Sequence, residues 1–127
     1  MASRHEDWLH QAERDLQSAR WAADGGFHEF ISQQAAEKAL KAVYQKLGGE
    51  AWGHALVGLL AGLKGRIAIT DDIARCARSL DRCYVPARDP NGWERGSPKD
   101  YYTREDADYA LGCGETIVRF CRGLLAQ

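Results

Sequence analysis

Apolar side chains recur along this chain at intervals of three and four residues, and no segment shows the alternation of a half-buried strand. That period matches the 3.6 residues of a helical turn, so the chain is restricted to helices that each bury one stripe. Trp8, Ala12, Leu16, Ala19 and Ala23 make the first stripe. Ser3 and Glu6 form a capping box at its start, and Gly25-Gly26 closes it. The second stripe runs Phe27, Ile31, Ala35, Ala39, Ala42, Val43, Leu47 and stops at Gly48-Gly49. So short a connection requires the two helices to lie antiparallel, and alanine on both facing stripes lets their backbones approach closely.

Residues 53–65, GHALVGLLAGLKG, place Leu56, Leu59, Leu60 and Leu63 on one side, and the glycines among them favour a short helix. Thr70 is the N-cap of a further helix, with Asp71 and Asp72 at the positive end of its dipole and Ile73, Ala77, Leu80 and Tyr84 as its stripe. Pro86 disfavours helical geometry at Val85 and ends it there. Across residues 85–102 the period stops, and all three prolines (Pro86, Pro90, Pro98) fall in this stretch beside Trp93 and Arg95. A loop that long is uncommon in a compact domain and tends to be functional or mobile. Thr103 and Asp106 then cap a last helix, whose inward face is Ala107, Ala110, Leu111, Ile117, Val118, Cys121 and Leu125.

The expected architecture is therefore all-α: an up-and-down four-helix bundle with one additional short helix and a long proline-containing loop before the last helix. The 127 residues make a single domain, 1–127, able to bury a core without a disulfide or metal staple.

Lys and Arg total 17 against 18 Asp and Glu, a formal net charge of −1, which lacks the basic excess of a domain built to hold duplex nucleic acid. No apolar run reaches the roughly 20 residues that span a bilayer. The opening MASRHEDWLHQAERD is too charged for a signal peptide, so the expected location is the cytoplasm, away from any membrane. Cys76, Cys83, Cys113 and Cys121 then stand as reduced thiols. Without a CxxC motif they are expected to be small buried hydrophobes and to hold no metal.

On a helical projection residues 33–42, QQAAEKALKA, are two-faced: Ala35, Ala39 and Ala42 point inward, Gln34, Glu37, Lys38 and Lys41 outward. Glu37 and Lys41 stand at i,i+4 in the favourable order, worth roughly a few tenths of a kcal/mol on a solvated face. The alternative makes Lys38 and Lys41 half of an anion site, and spacing does not decide between the two. His54 follows a glycine at the head of an apolar stretch, where a capping or hydrogen-bonded side chain is commoner than a catalyst. In YVPARDPN, residues 84–91, two prolines stiffen the backbone around Arg88. Its planar, forked guanidinium suits phosphate; pairing with a carboxylate that pins the loop is the equal alternative. No glycine-rich phosphate loop, HExxH motif or serine–histidine pair is present, so neither a catalytic residue nor a cofactor is expected.

Three stretches, taken in order, resemble the HEPN family of small helical-bundle proteins. The first is Trp8, Ala12, Asp15-Leu16 and Ala19; the second is QQAAEKALKA followed by His54-Ala55-Leu56 and Leu59-Leu60. The third is Leu80-Asp81 with the run from Tyr84 to Asn91, where the family carries a Tyr-x-Pro-x-Arg-Tyr/Asp-Pro segment. The match spans most of the chain. It implies a four-helix up-and-down bundle that forms a homodimer and binds nucleotide or RNA, often beside a separate minimal nucleotidyltransferase in a toxin–antitoxin-like pair. It also implies a nucleotide-binding site drawn from Lys38, Lys41, His54, Tyr84, Arg88, Asp89 and Asn91. The lysines and arginine would meet phosphates, and Tyr84 or Trp93 would offer a stacking surface.

One branch of the family consists of ribonuclease toxins marked by an arginine followed four to six residues later by histidine, late in the chain. Here Arg88, Arg95 and Arg104 have no histidine after them, and the one pair at that spacing, Arg4 and His10, lies at the wrong end of the domain. A ribonuclease needs such a group for acid–base work on the 2′-hydroxyl. The expectation is thus a non-catalytic binding module, with a degenerate HEPN-type ribonuclease and a purely structural dimerisation module as the alternatives.

Overall fold

The computed structural model describes residues 4–21, 27–51, 53–82 and 104–127. Five helices run through them: α1 (His5–Trp21), α2 (Phe27–Leu47), α3 (Leu56–Leu63), α4 (Asp71–Asp81) and α5 (Arg104–Leu125). No strand occurs among the described residues, where Lys64 and Ile67 form only an isolated bridge. The architecture is the expected all-α bundle with α3 as its short extra helix. Ser3, Gly25-Gly26, Thr103 and the loop of residues 85–102 lie outside the described residues.

The bundle is organised around α2, which packs on α1 and α5 and also touches α3 and α4. Ala35, Ala39, Ala42 and Val43 are buried as the stripe requires, but so are Ser32, Gln33, Ala36, Glu37 and Leu40. The two-faced projection is therefore corrected at Glu37, which is 8 % exposed and not solvated. Gln34, Lys38 and Lys41 are only half-exposed. A helix with neighbours on more than one side is covered nearly all round, whatever its own sequence period suggests. Leu47, the last residue of the stripe, overhangs the core and is exposed.

Small residues set the helix spacing. Ala12 and Ala19 of α1, the helix that packs on α2, have no exposed surface left on them. Gly114 of α5 lies where an added methyl would press on Leu16 at 3.2 Å and on the Ser32 carbonyl oxygen at 3.2 Å. α5 runs antiparallel to α1, with Arg20 beside Glu115 and Glu13 beside Arg122. It runs parallel to α2, because Gly114 meets Ser32 near the start of α2 and Lys46 Nζ at its end donates to the Leu125 and Gln127 oxygens.

Helix ends follow local chemistry where the sequence supplies a cap. Gly48 takes a positive φ of 80°, and the N–H groups of Gly48 and Gly49 donate to the Gln45 and Tyr44 carbonyls, a Schellman closure of α2. Thr70 caps α4 by accepting from the Ile73 N–H at 3.3 Å. α3 has no cap of its own, since Ala55 precedes it. Its first N–H groups, on Leu56 and Val57, instead donate to the two carboxylate oxygens of Asp81 at 2.7 and 2.9 Å. The last residue of α4 thus supplies the negative end that the α3 dipole needs.

Cys76, Cys113 and Cys121 are buried free thiols, as their helical positions led us to expect; Cys83 lies outside the described residues. Burial pushes the Cys121 thiol up to about 12. Cys76 is also pushed up to about 12, first by burial and then by the facing Cys113 thiol. Such groups stay protonated at neutral pH and are poor nucleophiles and metal ligands.

On α3, a methyl added at Gly62 would collide with the Tyr44 hydroxyl, which donates to the Leu59 carbonyl at 2.7 Å, whereas Gly58 faces open space. Gly58→Ala should stabilise the fold by up to about 1 kcal/mol through helix propensity. Gly62→Ala should destabilise it by about 1–3 kcal/mol, because the lost hydrogen bond and overpacking outweigh the same propensity gain; urea unfolding of both variants checks this. A thiol whose folded pKa is raised contributes stability that is intact below its unfolded value and is lost as pH climbs towards the folded one. Stability should accordingly fall between roughly pH 9 and pH 11, and fall less in Cys121→Ala, measured as Tm across that range.

Candidate functional site

Gln33, Glu37 and Lys41 are spaced by four, so they stack along one ridge of α2. Against this ridge lies the turn before α3, where Gly53 takes a positive φ of 82° and delivers His54. Gln33 Nε2 donates to the His54 carbonyl at 2.9 Å and fixes the turn on the helix. One oxygen of Glu37, Oε2, accepts from Lys41 Nζ at 2.9 Å and lies 2.9 Å from His54 Nδ1.

The carboxylate therefore holds an ammonium and an imidazole side by side. Its own side chain is 11 % exposed and that of Lys41 17 %, while the His54 side chain is 60 % exposed. The Lys41 ammonium also stands 6.0 Å from the ring centroid of Trp8 on α1, within reach of a cation–π attraction.

Lys38 forms the second half of the seam. Its Nζ donates to Asp15 Oδ2 of α1 at 2.7 Å, and Gln11 Nε2 donates to the other oxygen, Oδ1, at 3.0 Å. Both carboxylates are thus held by at least two donors or ring nitrogens, which keeps their geometry stiff. With His54 neutral, the positive charges of Lys38 and Lys41 balance the negative charges of Asp15 and Glu37.

Of the residues expected to bind ligand, Lys41 and His54 come together on Glu37, and Lys38, the next residue of α2, pairs with Asp15 of α1. Tyr84, Arg88, Asp89 and Asn91 lie outside the described residues, as does Trp93. His54 is not the cap of α3, a role taken by Asp81; it is a hydrogen-bonded, largely exposed ring. Sequence reasoning passed over Gln33 and Gln11 and treated Glu37 as a solvated partner of Lys41. The available signal was the i,i+4,i+8 spacing of Gln33, Glu37 and Lys41. A polar ridge on the most alanine-rich helix of a bundle calls for polar partners from elsewhere. Among the described residues no group of three metal-binding side chains converges.

A model of the HEPN domain matches residues 5–124 of the chain. Three solved structures share its fold. A protein of Thermus thermophilus is 35 % identical, covering 96 % of this chain and 98 % of its own, with a TM-score of 0.92. An archaeal HEPN homologue is 40 % identical over 97 % of this chain and 98 % of its own, with a TM-score of 0.81. A HEPN domain protein of Thermotoga maritima is 35 % identical over 97 % and 94 %, with a TM-score of 0.64. No curated protein matches the chain.

The buried pair should behave unlike the surface ones. A double-mutant cycle on Glu37 and Lys41 should give a coupling of about 1–3 kcal/mol. The exposed Arg75–Asp72 pair, at 2.8 Å, should give a much smaller coupling in the same urea titration.

Proposed function

The chain belongs to the HEPN domain family, and on that premise we propose that it is a nucleotide- or nucleic-acid-binding helical module without catalysis of its own. In this reading it acts as a homodimer and partners a minimal nucleotidyltransferase in a toxin–antitoxin-like pair. The observation that carries the binding role is the convergence of Lys41 and His54 on one oxygen of Glu37, with Lys38 beside them. Cationic donors held in place by a buried carboxylate meet an incoming phosphate with little side-chain entropy left to lose. The seam is close to neutral in charge, so affinity rests on added cations, and Arg88 is the residue we assign to that task. Its planar fork would take the phosphate and Tyr84 would stack on the base, with Asp89 and Asn91 as polar contacts. The absence of a histidine after the loop arginines supports a non-catalytic role.

A second reading is favoured by one observation: Lys38 and Lys41 are each already paired with a carboxylate. On that reading the seam is only a clamp between α1, α2 and the turn before α3. Isothermal titration with ATP, GTP and short RNAs separates the two. The binding module predicts heat from at least one ligand. Binding should weaken about tenfold or more in Arg88→Ala and in His54→Ala, with Tm nearly unchanged in both. No heat from any of them, with Glu37→Ala still lowering Tm, leaves the clamp alone. Purified protein should not cleave RNA, and light scattering should return a dimer.

A further inference from the structure

Beyond the polar seam, and sharing no residue with it, a groove of about 490 Å³ opens between α3, α4 and the link that joins them. Its floor and walls are apolar, with Val57, Leu60, Ala61, Ile67 and Ile69 among them, and Val57 is 44 % exposed. Among the described residues the charged side chains that line it are Lys64 and Arg78. A smaller hollow of about 240 Å³ shares Ile67 with it and adds Arg66 and Lys46, again without an acidic side chain. Lys64, Arg66 and Arg78 have no carboxylate partner among the described residues. Acidic residues outnumber basic ones, 18 to 17, over the whole chain, so the cationic lining of the groove among the described residues is a local asymmetry, bounded beyond Val57 and Arg78 by a hollow that Asp81 also lines.

We propose that this groove docks an acidic segment of a partner protein, anchored by one or two large apolar side chains. Three features select that occupant. Cations stand on both walls, Lys64 after α3 and Arg78 on α4, so the complement carries several carboxylates spread along a chain. The link at Ala68 and Ile69 lies outside the helices, and among the described residues their N–H groups donate to no backbone carbonyl, which leaves main-chain donors for a polypeptide laid alongside. Among the described residues the lining holds no aromatic ring, and so no stacking platform of the kind by which single-stranded nucleic acid is held. An anionic membrane surface is a poorer complement, because it is met by protruding apolar side chains, not by a concavity.

The test is selection of peptides displayed from a random library on the full-length wild-type protein, followed by fluorescence anisotropy of the enriched peptides. They should carry Asp or Glu flanking Leu, Ile or Phe. Their binding should weaken about tenfold or more in Arg78→Glu and in Ala61→Glu, and should weaken with salt. Both positions are exposed, so far-UV circular dichroism and Tm should match wild type. Enriched peptides without acidic excess, or binding that survives both substitutions, would overturn the proposal. So would loss in Arg78→Glu of binding to phosphatidylserine vesicles or to a 12-residue RNA while no acidic peptide binds. A dimer-to-monomer shift in Ala61→Glu on sedimentation would assign the groove to a second copy of the chain instead. None of these outcomes depends on whether nucleotide binds at the seam.

Discussion

Everything in this bundle depends on the burial of α2 on more than one side. Alanines at 35, 36, 39 and 42 carry no exposed surface, and their small size lets α1 and α5 close on the helix from different directions. Close approach brings a cost: polar groups on the same helix are taken from water and must find partners. Glu37 finds Lys41 and His54, and Gln33 finds the His54 carbonyl. The polar seam is in this sense a consequence of the packing. Groups that satisfy a buried carboxylate are also the ones held stiffly enough to meet a ligand.

The same dependence fixes α3. Eight residues with two internal glycines make a poor helix by propensity, and Ala55 cannot cap it. Its leucines bury against the core while Asp81 closes its N-terminus from the far end of α4. Asp81 therefore sets the angle between α3 and α4, and with it the shape of the groove between them. Tyr44 ties the other flank of α3 to α2 through the Leu59 carbonyl, and Gly62 leaves the room it needs. A short, weak helix held from two sides presents a defined surface that its own sequence would not maintain.

Charge is distributed unevenly over this frame. At the seam, two lysines are matched by two carboxylates, so specificity there rests on geometry more than on field. Around the groove Lys64, Arg66 and Arg78 have no carboxylate partner among the described residues, so charge there is less balanced than at the seam. The near-zero net charge of the chain hides both arrangements. Whole-chain charge speaks to solubility and non-specific binding, not to what one face can recognise.

Much of the fold was legible in the residues themselves. The three- and four-residue period identified each described helix, Thr70 and Gly48 marked their own ends, and the thiols at 76, 113 and 121 read correctly as core. These features are encoded within one or two turns of chain, where sequence spacing is spatial spacing. What the period cannot report is how many neighbours a helix will have. Glu37 looked solvated because its own helix turned it away from the alanine stripe, and it is the packing of other elements, with the His54 ring on its carboxylate, that encloses it. The Asp81 cap spans 25 residues and the Lys38–Asp15 pair 23, separations over which no local rule operates. The sequence by itself determined the helices and their inward stripes. Tertiary structure alone decided which polar residues were enclosed with them, because burial depends on every element that surrounds a side chain.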